Sequence, residues 1–264
     1  LALFERIGRR LVLTATGAGL LDHARTMASA ADALALAAEG RAQDISGRVS
    51  ISATDAFAAY VLPEIIEHIR ATLPQVTIAI VATDSISDLR RREADIAIRH
   101  VRPTEPELIA RRVMEMQARL YATKAWIDRN GRPSSPADLR EAELLGFEPI
   151  EQFVGHLAKA GLDVRVQQVR ITSENAVVLW EMLRRGLGVG VVLSEVADRM
   201  AGIVRLLPEM PAIPVPVWLV AHRELHSSRR IRLVYDAIDA GLQRFAAAGA
   251  DKPRARKARV RESR

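Results

Sequence analysis

The sequence predicts an α/β fold in two lobes, preceded by a long helix. Three observations lead there. From Gly47 onward, short β-branched runs alternate with amphipathic stretches, so strands and helices follow each other in turn. That pattern occupies about 48–121, repeats through 122–221, and closes with one more amphipathic stretch. Ahead of it, Ala15 to Glu39 holds ten alanines and no proline. A chain of 264 residues can bury a core of this size without covalent staples.

Leu3–Arg6 and Arg10–Leu13 read as two short strands about a turn at Ile7-Gly8-Arg9, and Thr14 stands where a helix cap belongs. Leu20, Ala24, Met27, Ala31, Leu34 and Ala38 then recur at helical spacing up to Gly40. This stripe of small residues suits close approach by a second helix. Arg48–Thr54 alternates as a strand, and Ala56–Thr72 presents Val61, Leu62, Ile65, Ile66 and Ile69 on one helical face. Gln75–Val81 and Ala94–Arg99 read as strands flanking a short helix at Ser87–Arg92. Two strands are expected at Leu108–Val113 and Gln117–Ala122, then a helix at Lys124–Arg129 and a loop at 130–136. Strand Glu143–Phe147, helix Glu151–Ala160, strand Val164–Thr172 and helix Ser173–Arg185 follow. Strand Val189–Leu193, helix Ser194–Arg199, strands Ile203–Leu206 and Val215–Ala221, and helix Ser228–Phe245 complete the body. Largely parallel sheets are the expectation for such alternation.

Charge is unevenly placed. Residues 251–264 carry seven basic and two acidic side chains, so this tail holds most of the formal charge of +6. It is expected to be a disordered basic tail, and the body is nearly neutral. Without cysteine there are no disulfides, zinc–thiolate sites, iron–sulfur clusters or thiol catalysis, which fits a reducing compartment. No apolar run approaches a membrane span, so no membrane partner is expected and the cytoplasm is the expected location.

No constellation for catalysis emerges, and the chain is not expected to be an enzyme. His23, His68, His100 and His156 are scattered, and no glycine-flanked serine elbow occurs. Gly186-Leu187-Gly188-Val189-Gly190 follows a helix and precedes a strand, the reverse of a dinucleotide loop, and reads as a helix terminus and tight turn. His222 and His226 share a ligand-like spacing but lack a third ligand, so neither a metal nor a cofactor is expected. Binding remains. Open α/β sheets take small molecules at the C-terminal ends of their strands, where helix N-termini also favour anions. Thr54 and Asp55, Ser85, Arg99 and His100, Phe147, and Thr172 and Ser173 fall at such ends and are the candidate residues. Arg99 could offer a charge-assisted bond, and Phe147 an apolar face.

Several stretches, taken in order, resemble LysR-type transcriptional regulators. Leu3-Phe4-Glu5-Arg6 through Gly8-Arg9-Arg10 to Leu13-Thr14 is similar to the end of the family's winged helix-turn-helix, and Ala15–Glu39 to its dimerising linker helix. Gly47-Arg48-Val49, Leu62-Pro63, Leu73-Pro74, Ala94-Asp95-Ile96-Ala97-Ile98-Arg99 and Arg185-Gly186-Leu187-Gly188-Val189-Gly190 match stations of the effector domain. The resemblance spans about 3–247. It implies a bilobed, periplasmic-binding-protein-like effector domain of two Rossmann-like subdomains, with Gln117–Ala122 and Val215–Ala221 crossing between lobes. The expected division is a wing remnant at 1–14, a linker helix at 15–42 and the effector domain at 43–250. Within the last, lobe I takes about 48–121 and 222–247, and lobe II about 122–221. A small-molecule effector, double-stranded DNA and a homodimer or homotetramer are the implied partners. The DNA-reading helices are expected ahead of Leu1, leaving Arg6, Arg9 and Arg10 to touch phosphates. Ala15-Thr16-Gly17 stands where the family often has a proline and an acidic residue. Asp55 and Glu148 bring carboxylates near the expected cleft, which disfavours a simple anionic effector. Two other classes compete, a solute-binding receptor of the same fold and an α/β enzyme. The first needs an export signal, and the second a catalytic constellation.

Overall fold

The computed structural model describes residues 2–8, 10–21, 23, 24, 27, 31, 45–83, 94–222 and 228–250. The helix expected at Ser87–Arg92, most of the linker stripe and the basic tail lie outside them.

Strands β1 (Phe4–Ile7) and β2 (Arg10–Leu13) form an antiparallel hairpin, with Gly8 at φ 64° in its turn. Residues 15–21 are helical. Thr14 starts that helix as expected, its hydroxyl accepting from Gly17 N–H at 3.0 Å and donating to Ala2 O at 2.8 Å. A Cβ on Gly17 would meet Leu3 O at 2.0 Å, so the hairpin and the helix touch through bare backbone.

In the first lobe, β3 (Gly47–Ala53) lies parallel to both β4 (Val76–Ala82) and β5 (Ile96–Arg99). The helix expected over 56–72 is two helices, α1 (Asp55–Tyr60) and α2 (Leu62–Thr72). Pro63 causes the break, because it has no N–H and its ring crowds the carbonyl of Ala59. The last helix, α7 (Arg229–Ala250), packs on α2 and buries Ile231, Val234, Ile238, Leu242 and Phe245. Gly241 permits that approach, since a Cβ there would sit 2.9 Å from Ile65.

The second lobe contains α3 (Lys124–Asn130), β7 (Leu144–Phe147), α4 (Ile150–Lys159), β8 (Val169–Ser173) and α5 (Ala176–Arg184). It continues with β9 (Gly190–Leu193), α6 (Ser194–Ala197) and β10 (Ile203–Arg205). The strand expected from Val164 begins only at Val169. Before it, Val166–Gln168 makes a 3₁₀ turn in which buried Gln168 donates to Leu139 O. At the glycine-rich segment, Gly186 (φ 70°) gives its N–H to Leu183 O and Leu187 to Met182 O, a Schellman helix terminus.

Two strands join the lobes, β6 (Leu108–Thr123) and β11 (Ile213–His222). The two strands expected at Leu108–Val113 and Gln117–Ala122 are therefore one, continuous through Met114-Glu115-Met116. It runs antiparallel to β11 from Leu108 to Ala118, then pairs with β9 over Ala118–Tyr121 and β10 over Tyr121–Thr123. A register shift between Val217 and Trp218 marks the bend. The expectation of largely parallel sheets holds only within each lobe, at β3–β4, β3–β5 and β7–β8. Every pairing made by the crossing strands is antiparallel.

The two cores differ in reach. One apolar cluster fills the second lobe around Trp126, Leu139, Phe153, Leu157 and Val189. The other is centred on the first lobe and extends across the junction to Leu179, Trp180 and Leu183 of α5.

Candidate functional site

Strand β3 ends at Ala53, and Thr54 and Asp55 follow it into α1. Thr54 occupies the cap position without capping, because its hydroxyl lies 3.2 Å from His100 Nε2. The other ring nitrogen, Nδ1, is 3.1 Å from Pro216 O on β11. A carbonyl only accepts, so Nδ1 carries the proton and Nε2 accepts from Thr54. Burial pushes the His100 pKa below the usual imidazole value. The Pro216 carbonyl opposes that shift and the neighbouring Arg99 guanidinium reinforces it. His100 is therefore a neutral connector between β5, α1 and β11, tilted 5.8 Å from the Phe57 ring.

Asp55 does the capping that Thr54 leaves undone, on two helices at once. Its Oδ1 accepts from Ala56 N–H at 2.7 Å, and its Oδ2 accepts from Ala176 N–H at 2.7 Å. The second bond crosses from the first lobe to the first turn of α5. Helix α5 begins at Ala176 rather than at Ser173, because Asn175 is its cap and accepts from Val178 N–H at 3.1 Å. Ser173 serves one residue earlier, its hydroxyl accepting from Asn175 N–H at 3.0 Å. The same two helices also meet where Tyr60 and Trp180 pack at 5.3 Å between ring centres.

The remaining candidates divide. Phe147 ends β7 in register with Ser173, and Thr172 sits opposite Gly146, so β7 and β8 deliver them to one place. Phe147 stacks against Phe153 at 6.0 Å and also borders the first-lobe core. Arg99 is only 3% exposed, and its guanidinium donates to Ser52 Oγ at 2.6 Å and to Ile98 O at 2.9 Å. It is built into the end of the first-lobe sheet. Glu148 accepts from Ile150 N–H at 3.1 Å, at the start of α4. Ser85 lies outside the described residues, as does Arg9. Arg6 is exposed on the hairpin, and Arg10 starts β2. A depression of about 340 Å3 opens elsewhere, lined by Thr123, Lys124, Arg184 and Gly202, and none of the expected site residues lines it. Among the described residues no cluster of three or more metal-ligating side chains forms.

The polar groups at these strand ends thus bond mostly within their own lobe or to β11, and Asp55 alone among them reaches across, to Ala176 N–H. Sequence reasoning placed Thr54, Asp55, His100 and Ser173 at strand ends but missed Asn175 and the reach of Asp55. Asn175 was readable as a cap, because Asn directly precedes the apolar run Ala176-Val177-Val178-Leu179.

Residues 42–243 match the family described as the LysR substrate binding domain. The chain is 25% identical over 242 residues to a probable HTH-type transcriptional regulator, LtrA of Klebsiella pneumoniae, covering 89% of this chain and 78% of that protein. It is also 25% identical to the HTH-type transcriptional regulator PtxR of Pseudomonas aeruginosa, covering 78% of this chain and 68% of PtxR. The regulatory domain of CrgA, a LysR-type transcriptional regulator from Neisseria meningitidis, has the same fold at 19% identity. The TM-score is 0.64, covering 75% of this chain and 99% of that one. Full-length AphB of Vibrio cholerae superposes at a TM-score of 0.64 and 21% identity, over 91% of this chain and 84% of AphB. The chain belongs to the LysR substrate-binding domain family and carries the regulatory domain of a LysR-type transcriptional regulator.

Proposed function

We propose that a small polar effector binds between the lobes, bounded by Thr54, Asp55, His100, Phe147, Thr172 and Ser173, with Ser85 and Arg99 contributing from the first lobe. One observation carries this reading. The bond from Ala176 N–H to the Asp55 carboxylate brings the strand ends of the two lobes to a single point. Effector binding there would alter how the lobes close and, through the linker helix, how two copies sit on DNA. The chain acts as a homodimer or homotetramer in the cytoplasm, without enzymatic activity. The described residues include no helix long and apolar enough to cross a membrane. Arg6, Arg9 and Arg10 add phosphate contacts to double-stranded DNA, a contribution that falls steeply as salt is raised.

A metabolite panel read by thermal shift, followed by calorimetry on the hit, tests the site. Phe147→Ala and Thr54→Ala should each weaken the hit about tenfold, equivalent to 1.4 kcal/mol. Unchanged affinity in both would move the site away from these strand ends. Light scattering tests assembly. Met27, 73% exposed on the linker, should lower the oligomer order when changed to Glu.

A further inference from the structure

We propose that Asp55 is a built-in carboxylate ligand: it occupies the first turn of α5, clasps the lobes in the absence of effector and excludes free carboxylates from the cleft. Its two oxygens divide between two helices, Oδ1 on Ala56 N–H and Oδ2 on Ala176 N–H, both at 2.7 Å. The first bond lies within its own helix and orients the carboxylate. The second reaches 121 positions along the chain into the other lobe. Ala176 begins the nine-residue helix α5, whose first N–H groups have no partner within the helix. Asn175 satisfies Val178 N–H and Asp55 satisfies Ala176 N–H, so two of the turn's first N–H groups are taken from opposite sides. Tyr60 on α1 and Trp180, one turn along α5 from Ala176, make an aromatic contact between the same two helices, and the bond itself is partly buried.

The tether decides the competition. A side chain already held within bonding distance competes as though present at millimolar or higher concentration. A free monocarboxylate must exceed that value to displace Asp55, which leaves the cleft to effectors that are uncharged or cationic. Such an effector acts by changing how the lobes meet around the clasp. The inference deepens the cleft reading above. Its test needs no effector, so its failure is separate from a failure to find one.

The experiment is amide hydrogen exchange at Ala176, with melting temperature, on the whole chain and on Asp55→Ala, using acetate and formate as probes and chloride as control. Exchange at Ala176 should be at least tenfold faster in Asp55→Ala. Millimolar acetate or formate should slow it again and raise the melting temperature, whereas chloride should do neither. The wild-type chain should be indifferent to all three. Asp55→Asn, which keeps the shape and one acceptor, should fall between and guards against a folding defect in the alanine variant. Unchanged exchange at Ala176 in both variants would overturn the clasp. Failure of acetate to restore protection, or equal slowing in the wild type, would overturn the role as a ligand surrogate.

Discussion

The lobes meet through an apolar seam and through polar clasps, and the two kinds of contact respond differently to water. The seam is the packing of α5 against α1, with Trp180 only 2% exposed and Leu179 and Leu183 counted in the first-lobe core. One clasp is Asp55 on Ala176. The other is Arg199, which reaches from the end of the α6 region to Glu64 on α2 at 3.0 Å and lies 4.1 Å above the Phe245 ring of α7. Burying a Trp is a large, non-directional gain that tolerates small rotations. A half-exposed ion pair contributes little, but it is satisfied at one geometry only. The seam therefore keeps the lobes together, and the clasps select which of their arrangements is occupied.

That division can be broken at its strong end first. Trp180→Ala should cost about 3–5 kcal/mol, as buried aromatic truncations do. Denaturant unfolding should show the two lobes losing cooperativity with each other. A loss under 1 kcal/mol would mean that the seam is not what joins them. Next comes Arg99→Ala, which strips the donor from Ser52 Oγ within a buried site and should cost about 1–3 kcal/mol in the free protein. A melting curve unchanged by this substitution would return Arg99 to the role of a pure effector contact. The Arg199–Glu64 clasp should yield a coupling of about 0.2–1 kcal/mol in a double-mutant cycle, shrinking as salt is added. The smallest effect is a pH dependence at one ring. The folded protein holds the His100 pKa below its unfolded value, so its contribution is complete above roughly pH 6.5 and declines as the pH falls from there. His100→Gln should flatten the melting temperature below that pH. An unchanged slope would assign the acid sensitivity to other groups.

Much of this was legible in the residues. The alternation after Gly47 and the terminus at Gly186 follow from local pattern, because periodicity and glycine placement act over a few residues, whereas the crossing role of two strands came only from the family resemblance. The continuity of β6 was obscured by exposed Glu115, which reads as an interruption although Met114 and Met116 sustain the alternation. Likewise Thr54 has the residue type of a helix cap, but His100, 46 positions away, takes its hydroxyl. Asp55 gave the least warning. A carboxylate at a helix start carries the same local signal whether it caps one helix or two, and only the folded arrangement brings Ala176 to it.

The prolines of β11 have a consequence of their own. Pro214 and Pro216 lie opposite Gln117 and Glu115 of β6, while β5 stops at Arg99, opposite Trp218. Residues two apart on a strand turn their backbone groups to the same side, and the Pro216 carbonyl turns toward His100. That rim of the crossing strand thus runs past the end of β5 with no strand paired to it among the described residues, held by His100 at the Pro216 carbonyl. An ordinary strand there would invite a foreign segment to zip on whenever the cleft gaped. Two missing N–H donors remove that template, which guards a moving protein against adhesion to its own copies.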